Sequence, residues 1–505
     1  MPYERFHKSF IAPLGGVNYS LPSNLKPDLF WYTLNDMQCL NGVTMPGPPY
    51  LVIATPAIAG AFIVKIYSYI KNPTTEFFIL ASDTKVYTYV PGTNTLTDIT
   101  GAAVLTANYW SMTTFNGVLY MANEIEGVYK WDGTGNIAII AAAPAASFIT
   151  FFHEHLVALG NGTDKKAINW SNEFDDATWV PAATNDAGGF SFTDTDDNVC
   201  AYILGDNLIV YRRNSITMIS YIGGDLVYLN KPLIEGAGAI GQNAVLVLPG
   251  RHIVLGSKFF FEYSGGDSIN RDVGMAINPV VYQGQIDPGT SLFGIIAAGG
   301  SNGVLNIPSQ SSAFWFYYTG DTNMMYHNYD TGVWSSPIMV TTDEIISAMN
   351  DSGSTSIKNY FASQSQVLQF APEATDNSSG MTDCLAETRD IFLGQGAIDD
   401  NGEAINLPLD TIFTTESIDL EFNPVDLAPA SAEVASIYIG YKNDLSAAYT
   451  WVTNSLGVIP AGTVQRLHWP VRVTGRWIRL RYVIPNHTQV FIAGFQINFF
   501  PNGNR

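Results

Sequence analysis

The sequence predicts an all-β protein. Its centre reads as a β-propeller of six or seven irregular blades, with an extended N-terminal arm before it and a C-terminal β-sandwich or barrel-like domain after it. Three observations predict this. A short apolar strand, a Gly, Asn or Asp turn and a strand rich in Tyr, Phe and Trp recur along the chain without becoming a strict repeat. Alternating patterns dominate residues 61–375. No helical period longer than about three turns stands out.

The recurring unit reads Thr114-Phe115-Asn116-Gly117-Val118-Leu119-Tyr120, then Gly127-Val128-Tyr129-Lys130-Trp131-Asp132-Gly133. It returns at Leu204–Tyr211, at Leu248–Gly256 and at Asn328–Trp334. Units of roughly 40–60 residues made of strands and turns fit blades around an axis. Such a frame carries interaction surfaces, so its function lies in what it docks to.

In chain order, residues 1–60 form the arm or platform segment. Pro22, Pro27, Pro46, Pro48 and Pro49 argue against helix there. Residues 61–375 hold the blades; Phe77–Leu80, the turn near Asp83 and Val86–Val90 make a hairpin by pattern. Residues 376–407, with Asn377-Ser378-Ser379-Gly380 and Asp399-Asp400-Asn401-Gly402, read as a linker or long loop. Residues 408–505 form the C-terminal β-domain, with strands at 436–441, 477–482 and 491–497. Alternation places Arg476, Ile478, Leu480 and Tyr482 on one side, and Trp477, Arg479 and Arg481 on the other. Arg476, Trp477, Arg479 and Arg481 are therefore the expected subunit contact.

Composition narrows the function classes. Of 505 residues, 47% are hydrophobic and 13% aromatic, which supplies large cores. Only 14% are charged, against roughly 25% in ordinary soluble domains. A chain so poor in charge is expected to cover its outside with other subunits. Lys and Arg number 24 and Asp and Glu 45, a net charge of −21. That argues against a nucleic-acid reader, which needs a basic surface. It suits a channel through which DNA slides without sticking. Cys39, Cys200 and Cys384 are far apart and odd in number, neither a disulfide framework nor a thiolate metal site. Folding in a reducing cytoplasm is expected. The start of the sequence lacks an apolar signal core, and the apolar runs 51–64 and 137–152 are too short and too interrupted to span a membrane.

Several motifs raise chemistry. Asp194, Asp196 and Asn198 sit at the first, third and fifth positions of a calcium-loop pattern, but Val199 replaces the required Gly and Gly205 the bidentate Glu. The plainer reading is a solvated acidic turn. Glu173, Asp175 and Asp176 could serve glycoside hydrolysis, which needs two carboxylates at a defined separation; acidic turns explain them as well. His153 and His155 form a His-x-His on an expected strand, with both rings on one side and no third zinc ligand in sequence. Tyr329–Trp334 resembles the aspartate boxes of sialidase propellers, with a short spacing to Trp334; otherwise it is a blade-closing turn with its Trp packed between blades. Asn161-Gly162-Thr163 is a glycosylation sequon. There is no phosphate loop, nucleophile elbow or dinucleotide fingerprint. No catalytic residue, cofactor or metal is expected.

Further stretches occur in a fixed order: Gly15-Gly16-Val17-Asn18, Leu21-Pro22, Asn41-Gly42-Val43 with Pro46-Gly47, Ala167–Asp175 around Trp170-Ser171, Leu204–Tyr211, Gly236–Gly241, Gly475–Arg481 and Asn502–Arg505. Through these the chain resembles the tail nozzle (tail tubular protein B type) family of short-tailed bacteriophages. The order of the stretches along the chain is stronger evidence than any one match. The resemblance implies a homo-oligomeric ring of six copies below the portal and adaptor, with the lumen passing the genome at ejection. It implies a virion tail location after assembly in the host cytoplasm, the adaptor as partner, tail fibres or spikes as further partners, and no catalytic residues. At 505 residues the chain is shorter than many nozzle proteins. The rival readings are a glycan-binding or glycan-cleaving tail propeller, another tail or connector protein, and a scaffold propeller of cellular origin.

Overall fold

A computed structural model describes residues 5–11, 15–18, 20, 31–35, 37–40, 43–46, 50–60, 62–106, 109–224, 226–283, 302–308, 311–318, 322–335, 345–351, 358–370, 384–399, 401–424, 434–458, 465–484 and 490–502. The protein is all-β, 59% strand and 3% helix. Many small antiparallel sheets make it up.

Seven of these are short meanders in chain order, numbered here I to VII. Their first strands are Ile63–Asn72, Ser111–Phe115, Phe148–Phe152, Asn198–Leu204, Val245–Leu248, Asn302–Ile307 and Ile345–Asp351. Six have four strands, and sheet V has three. The turn chemistry is what the recurring unit demands: Asn116 and Gly117 both take positive φ (49° and 70°) between Ser111–Phe115 and Val118–Asn123.

Neighbouring meanders meet through their first strands. Ile63–Asn72 touches Ser111–Phe115 on one side and Ile345–Asp351 on the other. Ser111–Phe115 touches Phe148–Phe152, which touches Asn198–Leu204; Val245–Leu248 touches Asn302–Ile307, which touches Ile345–Asp351. Serine hydroxyls stitch two seams: Ser111 Oγ accepts from Ile149 N at 3.0 Å, and Ser347 Oγ accepts from Ile66 N at 3.3 Å. Between sheets IV and V a 2.8 Å hydrogen bond joins the Tyr211 hydroxyl to His252 Nδ1.

The fourth strand of sheet VII is Tyr50–Ala54, paired antiparallel with Val367–Phe370. The segment expected as an arm or platform contributes strands to other sheets. Phe6–Ile11 lies between Val490–Pro501 and Gln395–Asp399, and Trp31–Asn35 pairs with Cys384–Thr388. Pro22, Pro27, Pro48 and Pro49 lie outside the described residues.

The expected linker needs a larger correction. Residues 376–383 lie outside the described residues, but Cys384–Thr388, Ile391–Phe392, Gln395–Asp399 and Ala404–Asn406 are strands. Cys384, Ala386, Ile391 and Phe392 are buried, so enough apolar surface was present to hold them in sheets. Asp399, Asn401 and Gly402 lie in a hairpin turn: Gly402 takes φ 86°, and Asp399 Oδ1 accepts from Asn401 N at 2.9 Å.

Among the described residues two larger sheets, VIII with nine strands and IX with six, contain the remaining strands. They share one core: Ile418, Leu420, Ile497 and Phe499 from sheet VIII meet Ile437, Ile439, Ile478 and Leu480 from sheet IX. The same core runs on into meanders V and VI through Phe260, Trp315 and Trp334. At this seam Val17 N donates to Trp334 O at 2.7 Å and Trp31 N to Gly16 O at 2.8 Å. Gly16 has φ 67°, and a Cβ there would stand 2.0 Å from the Trp334 carbonyl oxygen. Backbone fills that space, so the seam admits only glycine. Gly16→Ala should therefore destabilise by about 2 kcal/mol or more, read as a lowered thermal midpoint; an unchanged midpoint would remove this seam from the account of stability.

Candidate functional site

The expected subunit contact falls on sheet IX, on the strand Trp477–Ile484. Alternation there is as expected: Ile478, Leu480 and Tyr482 enter the core, and Trp477, Arg479 and Arg481 take the other face. Arg476 precedes the strand and is partly buried.

On that outer face the side chains form one network. Arg479 Nη1 donates to Glu387 Oε1 at 2.6 Å and Arg479 Nε to Asp390 Oδ1 at 3.0 Å. Arg481 Nε donates to Glu387 Oε2 at 2.8 Å. Lys442 Nζ lies 3.5 Å from Asp390 Oδ2, and the Tyr449 hydroxyl donates to Asp390 Oδ1 at 2.6 Å. Rings cover the cations: the Arg479 guanidinium is 3.9 Å from the Tyr32 centroid, and that of Arg481 is 4.1 Å from Trp451. Gly440 makes room for this roof, since a Cβ there would come within 2.9 Å of both Tyr449 and Trp451. Burial alone would lower the Arg479 pKa, but the Glu387 hydrogen bond and the Asp390 charge outweigh it and hold the pKa above its ordinary value.

Three cations and two carboxylates thus meet under aromatic cover. Arg479 is buried and spends its charge inside the chain. Arg481 and Trp477 keep part of their surface open. Sequence reasoning found the arginines by their density. It missed Glu387, Asp390, Lys442, Tyr449 and Tyr32, because only strand pairing brings them together.

The other candidates are engaged structurally. Arg212 Nη1 donates to Asp194 Oδ2 at 2.7 Å, which holds the Asp194 carboxyl down at about 2. Asp196 accepts from Ser215 Oγ at 2.6 Å. The oxygens read as a calcium pattern therefore clasp an arginine and a turn. Asp176 pairs with Lys130 at 2.9 Å and accepts from the Tyr120 hydroxyl at 2.9 Å, and Asp175 Oδ1 accepts from Ala177 N. Glu173 is exposed. Among the described residues, no group of three or more His, Cys, Asp or Glu is placed to hold a metal.

The expected His-x-His strand is corrected. His153 and Glu154 are the two turn residues of a hairpin, at φ 43° and 61°, so His153 lies off the strand and outside. A two-residue turn with both central φ values positive matches the strand twist. His153 stacks on Tyr221 with centroids 4.6 Å apart, while buried His155 places Nδ1 2.7 Å from Ser171 O. In the Tyr329–Trp334 unit, Trp334 is buried and its Nε1 donates to Val273 O at 2.7 Å. Asn161 Oδ1 accepts from Thr163 N and Asp164 N, closing a turn at the sequon. Among the described residues the three cysteines are buried and form no disulfide.

His327 was not singled out by its sequence. It stacks on Trp334 at 4.0 Å and 7°, and among the described residues neither ring nitrogen has a hydrogen-bond partner. Burial, with Arg251 nearby, lowers its pKa to about 3. Burial likewise lowers His252 to about 4.

Two predictions follow from these groups. Arg479→Met leaves Glu387 and Asp390 buried without their main cation and should cost about 3–5 kcal/mol in urea unfolding; a wild-type midpoint would show that the network contributes no net stability. An unfolded histidine titrates near 6.5. Between that pH and about 3 the unfolded chain binds the proton that folded His327 refuses, so stability falls as pH drops through this window. His327→Phe should flatten the acid-side fall in thermal midpoint; a slope equal to wild type would refute the assignment.

No family model matches this chain, and no curated protein matches it.

Proposed function

We propose that the chain is a structural subunit of a bacteriophage tail nozzle, a ring below the portal and adaptor that extends the DNA channel. In this reading meanders I to VII are the blades of one irregular seven-bladed propeller. Tyr50–Ala54 closes the circle by completing the last blade, and sheets VIII and IX form a C-terminal sandwich on its flank. The observation that carries it is the return of the first strand of sheet VII to that of sheet I, with an N-terminal strand finishing sheet VII. The ordered motifs of the nozzle family and the scarcity of charge add support.

The reading also says where DNA goes. Lys65, on the first strand of sheet I, donates to Asn243 Oδ1 at 2.7 Å, just before the first strand of sheet V. The adjoining Gln242 takes a hydrogen bond from Tyr202 on sheet IV through its carbonyl. In this reading residues 242–243 sit across the propeller axis. The conduit must run between copies, and not through one. Burial lowers the Lys65 pKa to about 8, in keeping with that interior position. Arg476, Trp477 and the open part of Arg481 remain the proposed contact to a neighbour.

The test is particle mass and shape. Purified protein, alone or on its adaptor, should form a ring of six times 55.0 kDa, visible by electron microscopy. Changing Glu173, Asp175 or Asp176 to the amide should alter no polysaccharide cleavage, because none is expected. A stable monomer that binds or cleaves oligosaccharide would replace this reading with the glycan-directed one.

A further inference from the structure

The meanders have two unlike ends. One carries the turn between first and second strands, and the antiparallel path brings the turn between third and fourth strands to the same end. Near these turns, corresponding positions on four sheets expose apolar side chains. Phe151, Ile203 and Val247 each stand one residue before the last pair of their first hairpin, and Ile70 stands two before. Ile203 is 38% exposed. The third-to-fourth connection of sheet IV adds Leu226 at 69%, and the start of its fourth strand, Tyr228–Glu235, adds Leu229 at 56%. Aromatic contacts join sheets into one surface: Phe115 stacks on Phe151 at 5.5 Å, and His153 on Tyr221 at 4.6 Å. At the opposite end, between sheets I and II and in the second-to-third turn of sheet II, the exposed large apolar residues are Val104 and Ile125.

Charge says what covers this end. Glu154, Glu173 and Asp206 lie in its turns, exposed, and make no ion pair among the described residues. The chain has few cations to answer them, and two arginines stand on one edge. Gln465–Trp469 and Thr474–Gly475 form the margin of sheet VIII beside Phe413–Pro424. There Arg466 is 79% exposed on its side chain and lies 3.5 Å from Glu421, and Arg472 is exposed without an ion pair among the described residues. An apolar, acidic end and a basic edge on one molecule are complementary only between copies.

We propose that the hairpin end of sheets I to V is the docking face for the Arg466–Arg472 edge of a second copy of this chain. The contact is heterologous, so each copy offers one of each surface and the chain of contacts closes as a ring. Apolar hairpins supply the dry centre, and the opposed charges set register and partner choice. This rests on the nozzle reading for the existence of a ring, and adds a second pair of surfaces to the contact proposed at Arg476, Trp477 and Arg481.

The experiment uses two full-length variants and analytical ultracentrifugation. Ile203→Glu with Leu229→Glu spoils the face and leaves the edge; Arg466→Glu with Arg472→Glu spoils the edge and leaves the face. All four side chains are exposed, so thermal midpoints should match wild type, and Leu226→Glu serves as an independent face variant. Each double variant alone should sediment as a 55.0 kDa monomer, and a mixture of the two should give a complex of two copies that grows no further. A mixture that stays monomeric, or face variants that assemble as well as wild type, overturns the proposal. Wild-type protein that stays monomeric at every concentration instead overturns the nozzle reading on which it rests.

Discussion

A meander of three or four short strands with apolar residues on both faces cannot stand alone. It has too little area on either side, and water on both faces would strip it of its reason to fold. Every small sheet of this protein answers that constraint by lying against its neighbours. Sheet I packs Val64, Ile79 and Val86 against Leu119 and Met121 of sheet II. Its other face packs Ile66 and Leu80 against Tyr360 and Val367 of sheet VII. Each buried side chain of this size contributes about 1.5–3 kcal/mol, so the meanders stabilise one another in sequence. The seam serines follow from the same need, because a first strand with open backbone groups must find donors and acceptors beside it.

The two larger sheets obey a different rule. They are held by long-range strand pairing: the segment at 6–11 lies between two strands from residue 395 onward, and the segment at 31–35 is an edge strand paired with Cys384–Thr388. Their core is continuous with that of sheets V and VI, and the glycine at 16 permits the backbone contact that joins them. On the outer side of sheet IX, opposed charges take the place of apolar cover. Burying Arg479 is tolerable because Glu387, Asp390 and the ring of Tyr32 replace the water it loses.

Local pattern made the strands and turns legible. Asn116-Gly117 and the alternation around Trp477–Tyr482 are short-range signals, and the structure has a hairpin turn and a two-faced strand there. The all-β class followed from many such signals together. Partners distant in sequence were not legible. Nothing near Cys384 announces that it pairs with both Trp31–Asn35 and Trp477–Ile484, and a cluster of Asn, Asp and Gly reads alike in a linker and in a hairpin turn. His-x-His failed for a related reason, since period-two alternation assumes an unbroken strand and the hairpin turns at His153. The arginine cluster was visible as composition, whereas its carboxylates lay about ninety residues away along the chain.

The place of the strand Phe6–Ile11 has a consequence for biosynthesis. It is flanked by Val490–Pro501 along its whole length, with six matched residues from Phe6↔Phe499 to Ile11↔Gly494. A ribosome finishes the first of these strands long before it makes the second. The nascent chain must carry its early segment uncovered while the meanders form, and sheet VIII can zip shut only when synthesis has passed residue 490. Synthesis past residue 490 thus becomes the event that completes this part of the molecule, and products terminated before it lack the strand that would cover that early segment.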